Sequence, residues 1–434
     1  MIVLAHGVGS RTDLPIPLGL AIYGAGAAIL LSFAILLTFW RKPKIGDASS
    51  GRPLPAGVQA LVDSPRFRLA VQAVALALAA FVVVVAFAGP SDTDRNLAPW
   101  VLYVTFWVGL VPVSLLLGPV WHLANPLRLL HRGLRPVLPA PPAAQRLPAL
   151  GLWPAAVSLF AFLWLELVFP SRSEPMTVGL FVVGYAVVHL ALAAWFGEEW
   201  FARGDGFEVY SSLVARLSPW GRRDDGRLVL RNPLANALAT PELPGLAAVV
   251  LVLLGSTAFD GLSRTEFWQT GPGAANDSLS GTLGLLVMIA LVATLYLLGT
   301  RLSGRLARQD PGVQPRRYAA TVVPIALGYT VAHYVSLLVL DGQKTWILAS
   351  NPFGTAGVDL FGTYGNVVDL AAVSADAIAL VQVGAVVLGH VLGVTLAHER
   401  ALRAAPRRPA SDQLPLVIVM VLFTVCGLGL LFGL

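Results

Sequence analysis

Ten runs of about 20 apolar residues follow one another along this chain of 434 residues. A hydrocarbon core about 30 Å thick requires a helix of roughly that length, because each helical residue rises about 1.5 Å. The sequence therefore predicts an all-α, polytopic transmembrane helix bundle of about ten spanning helices, with residues 1–434 forming a single integral membrane domain. The expected spans cover approximately residues 17–40, 69–89, 99–121, 150–169, 177–198, 244–260, 279–300, 318–340, 376–397 and 414–433.

The composition agrees with this class, since 56% of the residues are hydrophobic, only 12% are charged and the mean hydropathy is +0.72. Of the 30 basic residues, 25 lie in alternate connecting segments, at 41–68, 128–146, 203–231, 301–317 and 400–408. Cytoplasmic loops carry such an excess, so both termini are expected outside, with the chain crossing the plasma membrane several times. The net charge of +6 then reflects topology and does not indicate nucleic-acid binding.

Two of the inner segments have helical patterns. Asp205 can cap a helix together with Glu208, and an apolar stripe follows over 206–217. A second stripe of the same kind covers 126–134. Both are expected to be amphipathic helices on the inner membrane surface, in contact with lipid. On the outer side, 341–373 is a long segment rich in Gly and Asn, with the length of a lid or binding loop.

Two of the expected spans carry histidines, His333 and His390, among apolar residues. A charged group at mid-bilayer depth costs at least about 2.5 kcal/mol on insertion scales, so such side chains usually face other helices. His333 shares a helical face with Tyr329, and Gly389 and Gly393 flank His390 in a spacing that lets another backbone approach closely. Each histidine is either a hydrogen-bonding group between helices or a ligand, proton relay or catalytic group, and the sequence leaves both interpretations open.

Six ionisable residues fall at the outer ends of the expected spans or on the N-terminal tail. Two histidines with four carboxylates are the ligands of a divalent metal site, with zinc or copper as candidates. We expect Glu166, Asp260 and His333 to be catalytic, because metal-bound water would suit hydrolysis of an ester or phosphoester. Carboxylates at helix ends can also be merely solvated or capping. The expected metal ligands are His6, Asp13, His333 and Asp376.

Other classes of function stay open. His189 and His390 lie deeper, at matching depth, and would act as proton-relay sites in a proton- or metal-coupled transporter or permease. Depth alone would also allow a bis-histidine haem site at this pair. A third interpretation is a non-catalytic subunit of a membrane complex, or an oligomer. The chain has no nucleotide-binding or haem-attachment motif, and the single Cys426 can form no intrachain disulfide.

Seven segments occur in a fixed order along the chain: LAHGVGSRTDLPIP, LGPVWHLANPLRLLHR, FAFLWLEL, WFARGDGFEVYS, LLGSTAFD, GYTVAHY and GHVLGVTLAHE. With this set, and over nearly its whole length, the chain resembles a group of multi-spanning proteins from high-GC bacteria labelled fenitrothion hydrolase. The resemblance implies a small-molecule substrate and hydrolysis of an organophosphate triester. It carries over no catalytic residues, so the site residues above rest on depth and side-chain chemistry.

Overall fold

The computed structural model describes residues 18–47, 49–404 and 410–432 of the chain. Within these ranges nine helices are long and apolar enough to cross a membrane, and one bent helix pair makes a tenth candidate. The prediction of an all-α polytopic bundle is confirmed, and the chain is a multi-pass membrane protein. The spans are α1 (Leu18–Phe39), α2 (Pro65–Ala88), α3 (Leu97–Leu117), α4 (Ala144–Leu150 and Trp153–Leu167), α5 (Pro175–Phe196), α6 (Leu246–Ser263), α7 (Ser278–Leu306), α8 (Gln314–Ala349), α9 (Ala375–Ala404) and α10 (Leu414–Leu431).

Span α4 is bent by 73° at the start of the predicted span 150–169, because a short helix replaces the last part of the connector that the sequence predicts before it. The chain changes direction at Gly151, whose φ of +57° lies in a region that favours glycine. A Cβ atom on Gly151 would lie 2.3 Å from the Pro244 carbonyl oxygen. The same oxygen accepts a hydrogen bond from the Leu152 backbone nitrogen at 2.7 Å. The segment that leads into α6 therefore fixes the bend and excludes a side chain at residue 151.

Spans α8 and α9 pack closely because glycines of each face the backbone of the other. A Cβ on Gly328 would lie 2.3 Å from the Ala385 carbonyl oxygen, and a Cβ on Gly389 would lie 2.5 Å from that of Pro324. Small residues allow this approach between membrane helices. The close contact expected at Gly389 is thus observed, and His333, on another face of α8, is also buried.

Spans α3 and α8 each contain a π-helical stretch, at Val101–Val108 and Leu337–Asp341. Such stretches are rare and often occur at functional sites. After its π-helical turn, α8 continues as the helix Gly342–Ala349. The first part of the outer loop expected at 341–373 is therefore helical, and only the remainder is irregular.

Shorter elements connect the spans. Three antiparallel strands form a small sheet in the order β1-β3-β2, with β1 at Arg52–Pro53, β2 at Trp220–Arg222 and β3 at Leu228–Leu230. A helix forms within the expected segment 126–134. The short α- and 3-10 helices are Ala56–Asp63, Val120–Ala124, Pro126–Leu134, Arg135–Val137, Glu198–Trp200, Phe201–Gly204, Gly206–Val214, Ala215–Leu217, Pro233–Leu238, Glu266–Thr270 and Ala410–Gln413.

The helix Gly206–Val214, which we name the buried helix, differs from the surface helix expected over this stretch. Eight of its nine residues are buried. Its Phe207 ring lies 4.9 Å from the Phe162 ring of α4, and its Tyr210 ring lies 4.7 Å from the Trp107 ring of α3, between centroids. An apolar stripe suits a place inside a bundle as well as one on a membrane surface. The pattern alone could not separate the two, and here the helix lies among aromatic side chains of the spans.

Candidate functional site

The first candidate site lies where α6 ends beside α8, at the side predicted to face outward. The His333 Nε2 atom lies 2.6 Å from Asp260 Oδ2. The Tyr334 hydroxyl donates to the same oxygen at 3.2 Å, and Arg264 Nη2 donates to both Asp260 oxygens at 3.2 Å. We name these four residues and Glu166 the outer cluster.

The hydrogen bond between His333 and Asp260 defines how the imidazole can react. A carboxylate oxygen accepts, so the Nε2–H group of His333 is the donor, and in the neutral ring Nδ1 carries the lone pair. Nδ1 is buried and has no hydrogen-bond partner in the part of the chain that the structure describes. A carboxylate holds imidazole in the same way in general bases and behind metal-ligating histidines. His333 is therefore oriented to accept a proton, or to bind a metal, through Nδ1.

Glu166 lies in the last turn of α4 and is fully buried. Its carboxylate is within electrostatic range of Asp260 and Arg264, and of the Tyr334 hydroxyl. The helices α4, α6 and α8 carry these residues near the same end of the bundle. The structure thus brings together Glu166, Asp260 and His333, which the sequence singled out as catalytic, and their catalytic role stays a prediction.

The expected metal ligands are only partly visible. His6 and Asp13 lie outside the described residues. Asp376 is exposed in the first turn of α9, whereas His333 is buried. Among residues 18–47, 49–404 and 410–432, no group of three His, Cys, Asp or Glu side chains is arranged to hold a metal ion. The zinc or copper site therefore stays a prediction that depends on the N-terminal tail.

A second candidate site lies at the opposite end of the bundle, where two helix caps meet. Asn125 caps the helix Pro126–Leu134 and Asp205 caps the buried helix. The Asn125 Nδ2 group donates to Asp205 Oδ2 at 2.8 Å and to Glu208 Oε2 at 2.9 Å. Arg128 donates to the two Glu208 oxygens at 2.9 and 2.5 Å, and His122 Nδ1 lies 2.8 Å from Glu208 Oε1. We name the set His122, Asn125, Arg128, Asp205 and Glu208 the inner cluster.

The two carboxyl groups of the inner cluster have opposite pKa shifts. Burial, followed by the neighbouring charge of Glu208, raises the pKa of Asp205 to about 6. Burial also acts to raise the pKa of Glu208, but hydrogen bonds from His122 and Arg128 outweigh it and the pKa is lowered. Glu208 is therefore the fixed anion, and Asp205 is the group that can exchange a proton near neutral pH.

A chain of hydrogen bonds links this cluster to His189 of α5. The Trp200 Nε1–H group donates to His189 Nδ1 at 3.0 Å, which leaves the ring proton on Nε2 in the neutral form. His189 Nε2 lies 3.2 Å from Ser158 Oγ, and Ser158 Oγ donates to the Tyr185 oxygen at 3.3 Å. The Tyr185 hydroxyl donates to Asp205 Oδ1 at 2.6 Å. A continuous path for a proton therefore connects a histidine to a carboxyl group.

The structure does not bring His189 and His390 together. Span α5 packs mainly against α2, whereas α9 packs mainly against α8, α1 and α10. His390 Nδ1 donates to the Val386 carbonyl oxygen of its own helix at 2.8 Å. The two histidines therefore share a depth without being neighbours. Among the described residues they do not face each other, as a bis-histidine haem site or a paired proton relay would require.

Sequence reasoning treated Asp205 and Asn125 only as helix caps and missed the inner cluster. The cluster joins a segment around Asn125 to one around Asp205, about 80 residues later, so no local pattern connects its two halves. A repeated spacing marks only the residues next to this cluster: Tyr185, which bonds Asp205, precedes His189 by four residues, as Tyr329 precedes His333. In the structure each tyrosine ring lies beside its histidine, at 4.1 and 6.1 Å between centroids.

No family model, curated protein or solved structure matches this chain. Inference about its activity therefore starts from the geometry of the outer and inner clusters.

Proposed function

We propose that this membrane protein is a permease that conducts protons across the membrane, in which His333 and Asp260 bind the transported proton. The observation that carries the proposal is their buried 2.6 Å hydrogen bond, which leaves His333 Nδ1 as an acceptor without a partner in the described residues. Ionisable groups inside a membrane bundle are costly and commonly mark proton or substrate pathways. The outer cluster contains three such groups in Glu166, Asp260 and His333.

The buried helix supplies a connection between the two clusters. Asp205 caps its first turn, and Tyr210, about 7.5 Å further along the helix axis, lines a small cavity together with Thr330 of α8. Tyr210 is also within electrostatic range of Glu166, and Thr330 precedes His333 by about one helical turn. One short helix therefore reaches from the inner cluster towards the outer cluster.

A small cavity lies beside this connection. It measures about 20 Å³ and is lined by Tyr210, Thr330 and apolar residues of α6 and α8. Its lining is almost entirely apolar, so it is a packing gap beside the two hydroxyl groups and supplies no hydrogen-bonded path of its own.

The inner end of the path is open to solvent. The His122 side chain is 48% exposed, while its partner Glu208 is 1% exposed. His122 is thus the member of the inner cluster that reaches the inner surface, on the predicted topology, through its contact with Glu208.

A hydrolase is the second candidate, and the orientation of His333 favours it specifically. An imidazole held by a carboxylate is suited to remove a proton from water, with Glu166 as a second acid or base. The resemblance to proteins labelled fenitrothion hydrolase names an organophosphate triester as the substrate class. A metal held with the help of His6 and Asp13 would activate the same water.

Proton flux into sealed vesicles separates these candidates. The protein is reconstituted with a pH-sensitive dye inside, and a membrane potential is imposed by a potassium gradient with valinomycin. We expect the parent to admit protons and His333→Gln to abolish the flux, because an amide cannot take up the proton. His390→Gln is the matched control, since it alters another buried histidine on the adjacent helix α9.

Two outcomes would contradict the permease. One is a parent flux no greater than that of empty vesicles, and the other is an undiminished flux in His333→Gln. The same vesicles are offered a chromogenic organophosphate triester. Turnover that is lost in His333→Gln, without any proton flux in the parent, would select the hydrolase instead.

A further inference from the structure

The irregular segment after α8 folds back along the lipid-facing surface of the bundle. Its Phe353 ring packs edge-on against Phe81 of α2, with 6.2 Å between centroids. Phe81 lies seven residues before the end of α2 at Ala88, or about 10 Å along the helix axis. A Cβ on Gly89 would lie 3.1 Å from the Pro352 carbonyl oxygen. The segment therefore starts beside the C-terminal end of α2 and extends along that helix towards its middle.

The surface that Phe353 covers belongs to a lipid-facing helix. Within α2 only Gln72, Val85 and Ala86 are buried, and the other side chains are partly or fully exposed. An apolar helix of 24 residues with so little buried surface must face the hydrocarbon core over most of its circumference. Phe353 thus occupies a position that would otherwise contact lipid.

The same segment has large apolar side chains that the described part of the chain leaves mostly uncovered. Val367 is 86% exposed, and Leu360, Phe361 and Leu370 are also exposed. Residues 350–370 contain two carboxylates and no Lys or Arg. A soluble loop would bury or replace such side chains, since exposed apolar patches usually mark an interaction surface.

Internal hydrogen bonds satisfy much of the polar backbone of this segment. The Asn351 side chain bonds both the nitrogen and the oxygen of Thr355, each at 2.9 Å. Ser350 Oγ accepts from the backbone nitrogens of Phe361 and Thr363 at 3.2 and 3.3 Å. Asp359 Oδ1 also accepts from the Thr363 nitrogen at 3.0 Å. Backbone groups that are paired within the loop need fewer water partners, which suits a loop whose backbone lies at the membrane interface and not in the hydrocarbon core.

We infer that residues 350–370 form an interfacial loop whose apolar side chains insert into the bilayer, with lipid acyl chains as their partner. The partner is lipid because Phe353 of the same loop already packs on the lipid-facing surface of α2, and the rest of the loop is hydrogen-bonded to Gln343 and Trp346 at the end of span α8. The loop would anchor the end of α8 to the membrane next to the outer cluster. This inference does not depend on the proposed proton transport.

Spin labels measure the depth of this loop directly. The single native cysteine is removed by Cys426→Ser, and one new cysteine is introduced by Phe361→Cys or Val367→Cys. A spin label is attached to the new cysteine in vesicles of phosphatidylethanolamine and phosphatidylglycerol. Oxygen concentrates in hydrocarbon and a charged nickel complex stays in water, so their relative collision rates report depth. A label at Asp225→Cys, in the exposed turn between β2 and β3, is the control in water.

We expect labels at residues 361 and 367 to collide mainly with oxygen, with an oxygen-to-nickel ratio several times that at residue 225. A ratio equal to the control would place the loop in water and overturn the inference. Immobilised labels that neither reagent reaches would also overturn it, because a second copy of the chain would then cover the loop. Leu360→Cys repeats the measurement if Phe361→Cys does not yield folded protein.

Discussion

Replacing Arg128 with methionine removes the cation that compensates Glu208 in the inner cluster. Glu208 is 1% exposed. In the variant it loses the two hydrogen bonds from the Arg128 guanidinium, at 2.9 and 2.5 Å, while His122 and Asn125 still donate to it. Breaking a buried ion pair by removing one partner costs about 3–5 kcal/mol. Because two donors remain, we expect Arg128→Met to lower the free energy of unfolding by about 3 kcal/mol, the lower end of that range.

The measurement is denaturant unfolding in mixed micelles, followed by tryptophan fluorescence. Arg222→Met is the matched control, because it removes an arginine from an exposed ion pair with Asp63 and should cost less than about 1 kcal/mol. The double variant Arg128→Met with Glu208→Met should recover most of the loss, since no uncompensated charge is left buried. A single variant as stable as the control, or a double variant no better than the single one, would refute the role of charge compensation.

Three further predictions concern pH, packing and topology. The folded state binds a proton at Asp205 more tightly than the unfolded chain does, because the pKa of Asp205 is raised from 3.8 to about 6. The free energy of unfolding is therefore greatest below pH 3.8 and falls by about 3 kcal/mol as the pH rises through 6. Asp205→Asn should flatten that fall in unfolding measurements from about pH 4 to pH 8. Gly389→Ala should destabilise the protein by about 1–3 kcal/mol through contact with the Pro324 carbonyl, whereas Gly384→Ala, which meets open space on the same helix, should not. A reporter that is active only in the cytoplasm should be inactive when fused after Leu434, and activity there would reverse the predicted topology.

The number of spans and part of the outer cluster could be predicted because both depend on depth, whereas Arg264 and Tyr334 were not singled out. A bilayer fixes the length of an apolar run, and residues near the same end of parallel spans share one layer. Glu166, Asp260 and His333 met for this reason. Depth does not say which spans are neighbours, so the depth shared by His189 and His390 did not make them neighbours.

The inner cluster and the buried helix could not be predicted, since both depend on long-range neighbours. Asp205 and Asn125 have the sequence signals of helix caps, and those signals are correct. Their mutual hydrogen bond joins segments 80 residues apart, which no periodicity encodes. Likewise the bend in α4 depends on the approach of Pro244 to Gly151, and neither residue alone predicts it.

The most direct test of the central claim is whether Asp260 and His333 act as one proton-binding unit. Proton flux is measured in vesicles containing the parent, Asp260→Asn, His333→Gln or the double variant, each checked for insertion and folding. Residues that act as a unit are non-additive, so we predict that each single variant loses the flux and that the double variant loses no more. A parent-like flux in Asp260→Asn, or losses that multiply in the double variant, would contradict the account.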